Sequence, residues 1–251
     1  MAWLECRFNS DVLGMDSSLQ ALIPEQGPGP WPTLYLLHGL SDDDSAWCRQ
    51  TAIERYAAER NLAVIMPACG RGFYSNMSYG PRWFDFLSEE LPHLVERLFP
   101  IATERENTYV AGLSMGGYGA FKWALRQPER FTAAASLSGS LDMSAAAERK
   151  RGVDDFDLIF GGEDPKGTDD DLMTLVQRFQ EMPHAAPRLY QWCGTEDYLY
   201  QPNQNFFQAA RGTGVDITYE ESPGDHQWRY WDQQITRALE VMMPTRDLSH
   251  V

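Results

Sequence analysis

An α/β fold with a mainly parallel central sheet and helices on both faces follows from three features of the sequence. Short apolar runs rich in β-branched and aromatic residues alternate with amphipathic stretches through the body of the chain, which places crossover helices between parallel strands. Some of those runs, such as Leu34-Tyr35-Leu36-Leu37, are apolar without alternation, the pattern of a strand buried on both faces. Thr108 to Leu113 also enters a G-x-S-x-G core that a helical pattern, Met115 to Arg126, leaves at once.

The 251 residues, 43% of them hydrophobic, suffice for one domain with a sizeable core, so residues 1–251 are expected to form a single unit. With 21 basic and 36 acidic side chains the net charge is -15, which opposes binding to nucleic acid or anionic membranes and favours neutral small-molecule substrates. Cys6, Cys48, Cys69 and Cys193 are scattered singly, with no C-x-x-C pair and no Cys/His cluster at ligand spacing. Buried free thiols, no metal and no cofactor are expected. Met1 to Asn9 carries Glu5 and Arg7 without an apolar core, and no run is long enough to span a bilayer, so a cytoplasmic location is expected. A homo-oligomer is compatible with the sequence, and no internal repeat is present.

In chain order, Trp3–Phe8 and Ser18–Ile23 read as an antiparallel edge hairpin around Asn9-Ser10-Asp11-Val12-Leu13-Gly14. Pro24 to Pro32, with four prolines and two glycines, is a surface connection. The first central strand ends at His38-Gly39-Leu40; Ser41 to Ser45 supplies N-cap residues, and a helix is expected over residues 46–60 before a strand over 62–67. The glycine and aromatic loop from Ala68 to Met77 lies at the carboxyl end of a parallel strand, where open α/β sheets bind ligands; pocket wall and ordinary connection both fit. Trp83 to Phe99 is an amphipathic helix that Pro92 should kink or break. Thr132–Leu137 is a further buried strand. Residues 141–187 form an acidic, turn-rich insertion with one helix over 170–182, either a lid or a solvated excursion. Its aspartates lack the spacing of a calcium loop. A strand over 188–193, a helix over 203–211, a strand over 216–221 and a helix over 229–242 complete the chain.

The G-x-S-x-G stretch has the form of a nucleophile elbow: Gly112 and Gly116 permit a turn tight enough to hold Ser114 strained, with its hydroxyl projecting from the sheet. A serine hydroxyl needs a base, and the base needs an orienting acid. Of five histidines, His250 lies in a polar tail, His93 in a helix, His184 in the insertion and His38 before the elbow. His226 alone follows a late strand in a turn. In the order serine, acid, histidine, Asp197 fits as the acid, with Glu196 its local competitor and Asp225 adjacent to the base. The backbone amides of Met115 and Leu40 are the expected oxyanion donors. Trp47, Phe73, Tyr74, Tyr198 and Trp228 are candidate pocket residues, and Trp123 and Trp231 read as core.

Taken together, Leu36-Leu37-His38-Gly39-Leu40-Ser41, Arg55-Tyr56-Ala57, the Gly70 to Asn76 loop, the elbow from Gly112 to Gly119, Cys193-Gly194-Thr195-Glu196-Asp197, and His226-Gln227-Trp228 with Tyr230-Trp231-Asp232 resemble the tributyrin esterase branch of the esterase D superfamily. The resemblance spans roughly residues 33 to 240. It implies an α/β-hydrolase that cleaves short-chain acyl esters through an acyl-enzyme, with Ser114, Asp197 and His226 as triad and the Leu40 and Met115 amides as oxyanion hole. Neighbouring branches are feruloyl and acetyl-xylan esterases, S-formylglutathione hydrolases and mycolyl-type acyltransferases. Asp225 stands where that pattern has glycine.

Overall fold

In the computed structural model, which describes residues 1–144 and 155–244, the apolar runs become the parallel strands β3 (Thr33–Leu37), β4 (Ala63–Pro67), β5 (Thr108–Leu113), β6 (Ala133–Leu137), β7 (Arg188–Gly194) and β8 (Ile217–Ser222). The hairpin of β1 (Ala2–Ser10) and β2 (Met15–Ile23) pairs antiparallel through β2 with β4, giving one sheet in the order β1-β2-β4-β3-β5-β6-β7-β8. Side chains alternate across it. Tyr35 and Leu37 join the core on one face, and Leu34 and Leu36 the core on the other. This two-sided burial is why β3 shows no polar alternation.

Helices cover both faces. α5 (Met115–Arg126) and α8 (Tyr200–Thr213) pack on one, while α1 (Ala46–Gln50), α2 (Ile53–Ala58) and α9 (Trp228–Met242) pack on the other. The single helix expected over residues 46–60 is thus two. Thr51 is extended, and Asp232 of α9 accepts from the Ala52 amide and the Tyr56 hydroxyl, both at 3.0 Å, so a distant carboxylate serves the broken turn. The Pro92 disruption takes a specific form between α3 (Trp83–Asp85) and α4 (Leu91–Leu98). Lacking an N–H, Pro92 follows a π-helical turn, Phe86–Glu90, in which the Leu91 amide donates to the Phe86 carbonyl.

Between β6 and β7 the described residues contain two short helices, α6 (Phe156–Phe160) and α7 (Leu172–Gln177), where one longer helix was expected. Asp171 caps α7, and beyond Arg178 the chain tightens into i→i+3 turns that end it early. Gly161, at φ 66°, stops α6. The segment is held at several points. Arg71 pairs with Asp155 at 2.6 Å, and the Ser78 and Tyr79 amides donate to the Ile159 and Leu158 carbonyls.

The deepest attachment is Lys122 of α5, whose side chain has no exposed surface. Its ammonium donates to Ser75 Oγ at 2.7 Å, pairs with Asp170, and lies 5.2 and 5.3 Å from the Phe84 and Tyr118 rings. Burial pulls the ammonium down to about 8, with Asp170 offsetting part of that. Burial also opposes the Asp170 charge, but Lys122 outweighs it and holds the carboxyl below its ordinary range. Cys69 and Cys193 are buried as expected, whereas Cys6 and Cys48 are only half-buried because they sit on the edge strand and a surface helix.

Lys122→Met should leave Asp170 without its cation and cost about 3 kcal/mol of stability, the lower end for breaking a buried pair. For a domain of this size that is a fall in Tm of roughly 6–10 °C, read by thermal melting; an unchanged Tm would show that packing alone fastens the segment.

Candidate active site

Ser114 ends β5 with φ 52° and ψ -119°, a conformation that the surrounding contacts impose. A Cβ on Gly112 would lie 2.3 Å from Gly116 carbon, and one on Gly116 would lie 2.3 Å from the Leu37 carbonyl oxygen. Neither position tolerates a side chain. The serine backbone is tied on both sides: its amide donates to the Leu137 carbonyl at 3.0 Å, and its carbonyl accepts from the Tyr118 and Ser140 amides at 3.1 Å.

The loops after β7 and β8 bring Asp197 and His226 to this serine. His226 Nε2 lies 3.0 Å from Ser114 Oγ, and His226 Nδ1 lies 2.8 Å from Asp197 Oδ2. Because an ionised carboxylate only accepts, Nδ1 carries the hydrogen and Nε2 is free to accept from the serine hydroxyl. Asp197 Oδ1 accepts from the Leu199 amide at 2.8 Å, and the side chain is fully buried. Glu196 turns the other way, to the Gly224 amide and to Thr195 Oγ1, and so braces the loop that carries the histidine. Asp225 pairs with Arg229 at 3.2 Å on the surface. This arrangement can pass a proton from Ser114 to His226 while Asp197 fixes the ring.

Met115 is the first residue of α5, where the leading amides have no intrahelical acceptor. Leu40 follows Gly39 in a tight turn closed by the Asp42 amide and the Gly39 carbonyl, 3.2 Å apart, directly beside Ser114. His38 positions that turn from beneath. The Cys69 amide donates to His38 Nε2 at 3.0 Å, so Nδ1 bears the hydrogen and donates to the Gly39 carbonyl at 2.8 Å; burial keeps the ring neutral by lowering its proton affinity. The candidate pocket aromatics divide. Tyr74 and Trp47 are fully buried and donate to the His38 and Leu37 carbonyls, bracing the end of β3 from opposite faces of the sheet, and Phe73 packs near Tyr118 in the core. Tyr198 is 62% exposed and lies over the His226 ring, with centroids 4.6 Å apart. Trp231, read as core, meets the same imidazole edge-on at 4.8 Å, and Trp228 joins Trp231 to Trp47. Its place in the first turn of α9, which begins two residues after His226, was the available signal for Trp231.

A cavity of about 290 Å³ is lined by Met143, Met173, Pro165, Asp142, Asp171, Ser144 and Lys166. It adjoins the elbow through Ser140, which donates its amide to Ser114 and its hydroxyl to Met143 Sδ at 3.7 Å. A larger hollow, about 1010 Å³, lies at the opposite end of the strands around Thr132 and Arg188 and touches none of Ser114, Asp197 and His226. Among the described residues no cluster of His, Cys, Asp or Glu could hold a metal, and no helix is long and apolar enough to cross a membrane. His250 lies outside the described residues.

Residues 10–242 match the profile of the family described as putative esterase. The chain belongs to that family. It falls within the esterase D superfamily and is a serine esterase of the α/β-hydrolase fold. An acetyl esterase of Caldicellulosiruptor saccharolyticus is 29% identical over 266 residues, covering 98% of this chain and all of the relative. Two Staphylococcus aureus structures, fluorophosphonate-binding serine hydrolase F and an S-formylglutathione hydrolase, are each 35% identical over 96% of this chain and 98% of theirs, with TM-scores of 0.89 and 0.86.

Asp197→Asn should lower kcat/KM of this esterase on p-nitrophenyl acetate by roughly 10³- to 10⁴-fold, because the imidazole loses its orienting acceptor. Glu196→Gln keeps an acceptor for the Gly224 amide and should stay within about threefold; the reverse ranking would make Glu196 the acid. Tyr198→Ala should lower kcat more than it raises KM, and Tyr198→Phe should restore it, if the ring acts through His226.

Proposed function

We propose that the esterase hydrolyses short-chain acyl esters of small neutral alcohols, as a member of the tributyrin esterase branch, with Ser114, His226 and Asp197 as its triad. The observation that carries this is the unbroken relay from Asp197 Oδ2 through His226 to Ser114 Oγ at the end of β5, at 2.8 and 3.0 Å. The full-length similarity to an acetyl esterase supports a small acyl group, and the net charge of -15 supports an uncharged substrate over nucleic acid or an anionic membrane. In this proposal the described part of the insertion, residues 141–144 and 155–187, covers the cavity beside Ser140, and the enzyme works in the cytoplasm.

His226 takes the proton of Ser114 as its oxygen attacks the ester carbonyl. The carbonyl oxygen becomes an oxyanion held by the Leu40 and Met115 amides, the second reinforced by the start of α5. His226 then protonates the leaving alcohol, whose bond to the acyl carbon breaks. Water enters, gives its proton to the same histidine and attacks the acyl-enzyme; the acid leaves and Ser114 regains its proton. A second substrate class, small thioesters, uses the same steps with a thiol leaving group. The likeness to an S-formylglutathione hydrolase at 35% identity favours that alternative over feruloyl esters or acyl transfer.

Hydrolysis of p-nitrophenyl esters from acetate to octanoate, with methyl ferulate and S-formylglutathione alongside, should peak at acetate to butyrate and be lost by at least about 10⁴-fold in Ser114→Ala. A peak on ferulate or on the glutathione thioester would overturn the short-chain oxygen-ester assignment.

A further inference from the structure

We propose that Asp42 is a charge-selectivity residue: its carboxylate, set beside the nucleophile, disfavours substrates with a negative charge near the scissile ester and favours neutral or cationic alcohol groups. This deepens the esterase function proposed above and rests on it.

The mechanism uses no part of Asp42, yet its place is close to the chemistry. A Cβ built on Gly39 would sit 2.9 Å from Asp42 Oδ2, 2.7 Å from Leu113 Cδ1 and 3.7 Å from Ser114 Cβ. Carboxylate and nucleophile therefore flank the same glycine, well inside one Debye length at ordinary ionic strength, of order 8–10 Å. The turn closed by the Asp42 amide and the Gly39 carbonyl fixes that approach. Among the described residues no cation pairs directly with the group, and the Gly39 amide and the nearby Arg49 offset only part of its charge. The near guanidinium, Arg49, is bonded to Asp43 and Ser45, and His38 is held neutral between the Cys69 amide and the Gly39 carbonyl. Asp43 and Asp44 add charge of the same sign on the same loop. Burial pushes the Asp42 carboxyl up and outweighs the Gly39 amide and nearby positive groups that favour its charge.

Next to an oxyanion hole a carboxylate is a handicap, because transition-state stabilisation needs positive potential there. Its compensating effect is discrimination: repulsion of the wrong partner is as effective a source of specificity as attraction of the right one. A neutral acetyl ester feels Asp42 only through the developing oxyanion. An anionic alcohol or acyl group meets it in both ground and transition states. At separations near 8 Å and an effective dielectric between protein and water, one such charge pair changes a rate constant by about five- to tenfold.

The test uses acetate esters of three alcohols of similar size, choline, 3,3-dimethylbutanol and 3-hydroxypropanoate, with kcat/KM measured for the wild type and Asp42→Asn at pH 8. For the wild type the order should be choline, dimethylbutanol, hydroxypropanoate. In Asp42→Asn the hydroxypropanoate-to-dimethylbutanol ratio should rise about five- to tenfold and the choline-to-dimethylbutanol ratio should fall. Raising KCl from 20 to 500 mM should narrow the wild-type spread more than that of the variant, which keeps Asp43 and Asp44. If all three esters change by one common factor, or if the ratios do not move, Asp42 is structural and the proposal is overturned. If the wild type cleaves none of the esters, the esterase function fails instead. The same charge ratios are then read from rates of Ser114 labelling by neutral and charged alkyl phosphonofluoridates, in which serine oxygen bonds to phosphorus and fluoride leaves.

Discussion

The close approach of the β5–α5 turn to the end of β3 is the constraint on which the site depends. Ser114 holds a positive φ because its amide and carbonyl are bonded to β6 and the chain after it, and because Gly112, Gly116 and the Leu37 carbonyl meet without a side chain between them. The strain is local, but its support comes from three strands. It aims the hydroxyl out of the sheet and turns the first amides of α5 toward the same point. The Ser114 hydroxyl and the Met115 amide are thus set by one backbone turn and do not require separate tuning.

Around that turn, buried polar groups are used for placement. His38, Tyr74 and Trp47 spend their hydrogen bonds on the backbone of residues 37 to 39 and Cys69, which makes the loop bearing Leu40 a rigid edge of the sheet. Such a network is fully satisfied, so burial costs little and geometry is gained. On the other side, Tyr198 and Trp231 bracket the His226 ring while Glu196 holds its loop at Gly224. The imidazole is therefore oriented by apolar faces as well as by Asp197. The Trp231 Nε1 is the exception among these groups, buried without a hydrogen-bond partner among the described residues.

The chain between β6 and β7 owes its position to a different balance. Its helices are short, and Lys122, Ser75, Asp170 and Arg71 bind it to α5 and to the loop after β4. The buried ammonium of Lys122 thus fastens the chain around Asp170 to α5. Phe84 and Tyr118 supply faces that make its burial tolerable. Asp171, in the wall of the cavity beside Ser140, thereby follows directly on a residue tied to the helix that Ser114 precedes.

The alternating α/β pattern, the two-sided burial of the central strands and the elbow were legible because each rests on local rules: periodicity, glycine freedom, strand–turn–helix succession. The order serine, aspartate, histidine was legible for the same reason, as was the disruption at Pro92. The break at Thr51 was not, since the carboxylate that serves it lies on α9, far along the chain. Nor could the sequence show that Glu196 turns away to Gly224, that Trp47 and Tyr74 brace the end of β3, or that Trp231 meets the histidine. By itself the sequence determined which elements form and which residue types carry the chemistry. Only the tertiary structure decided which side chains meet, because contacts between loops after β3, β5, β7 and β8 depend on the twist and order of the whole sheet, a long-range packing that no local window contains.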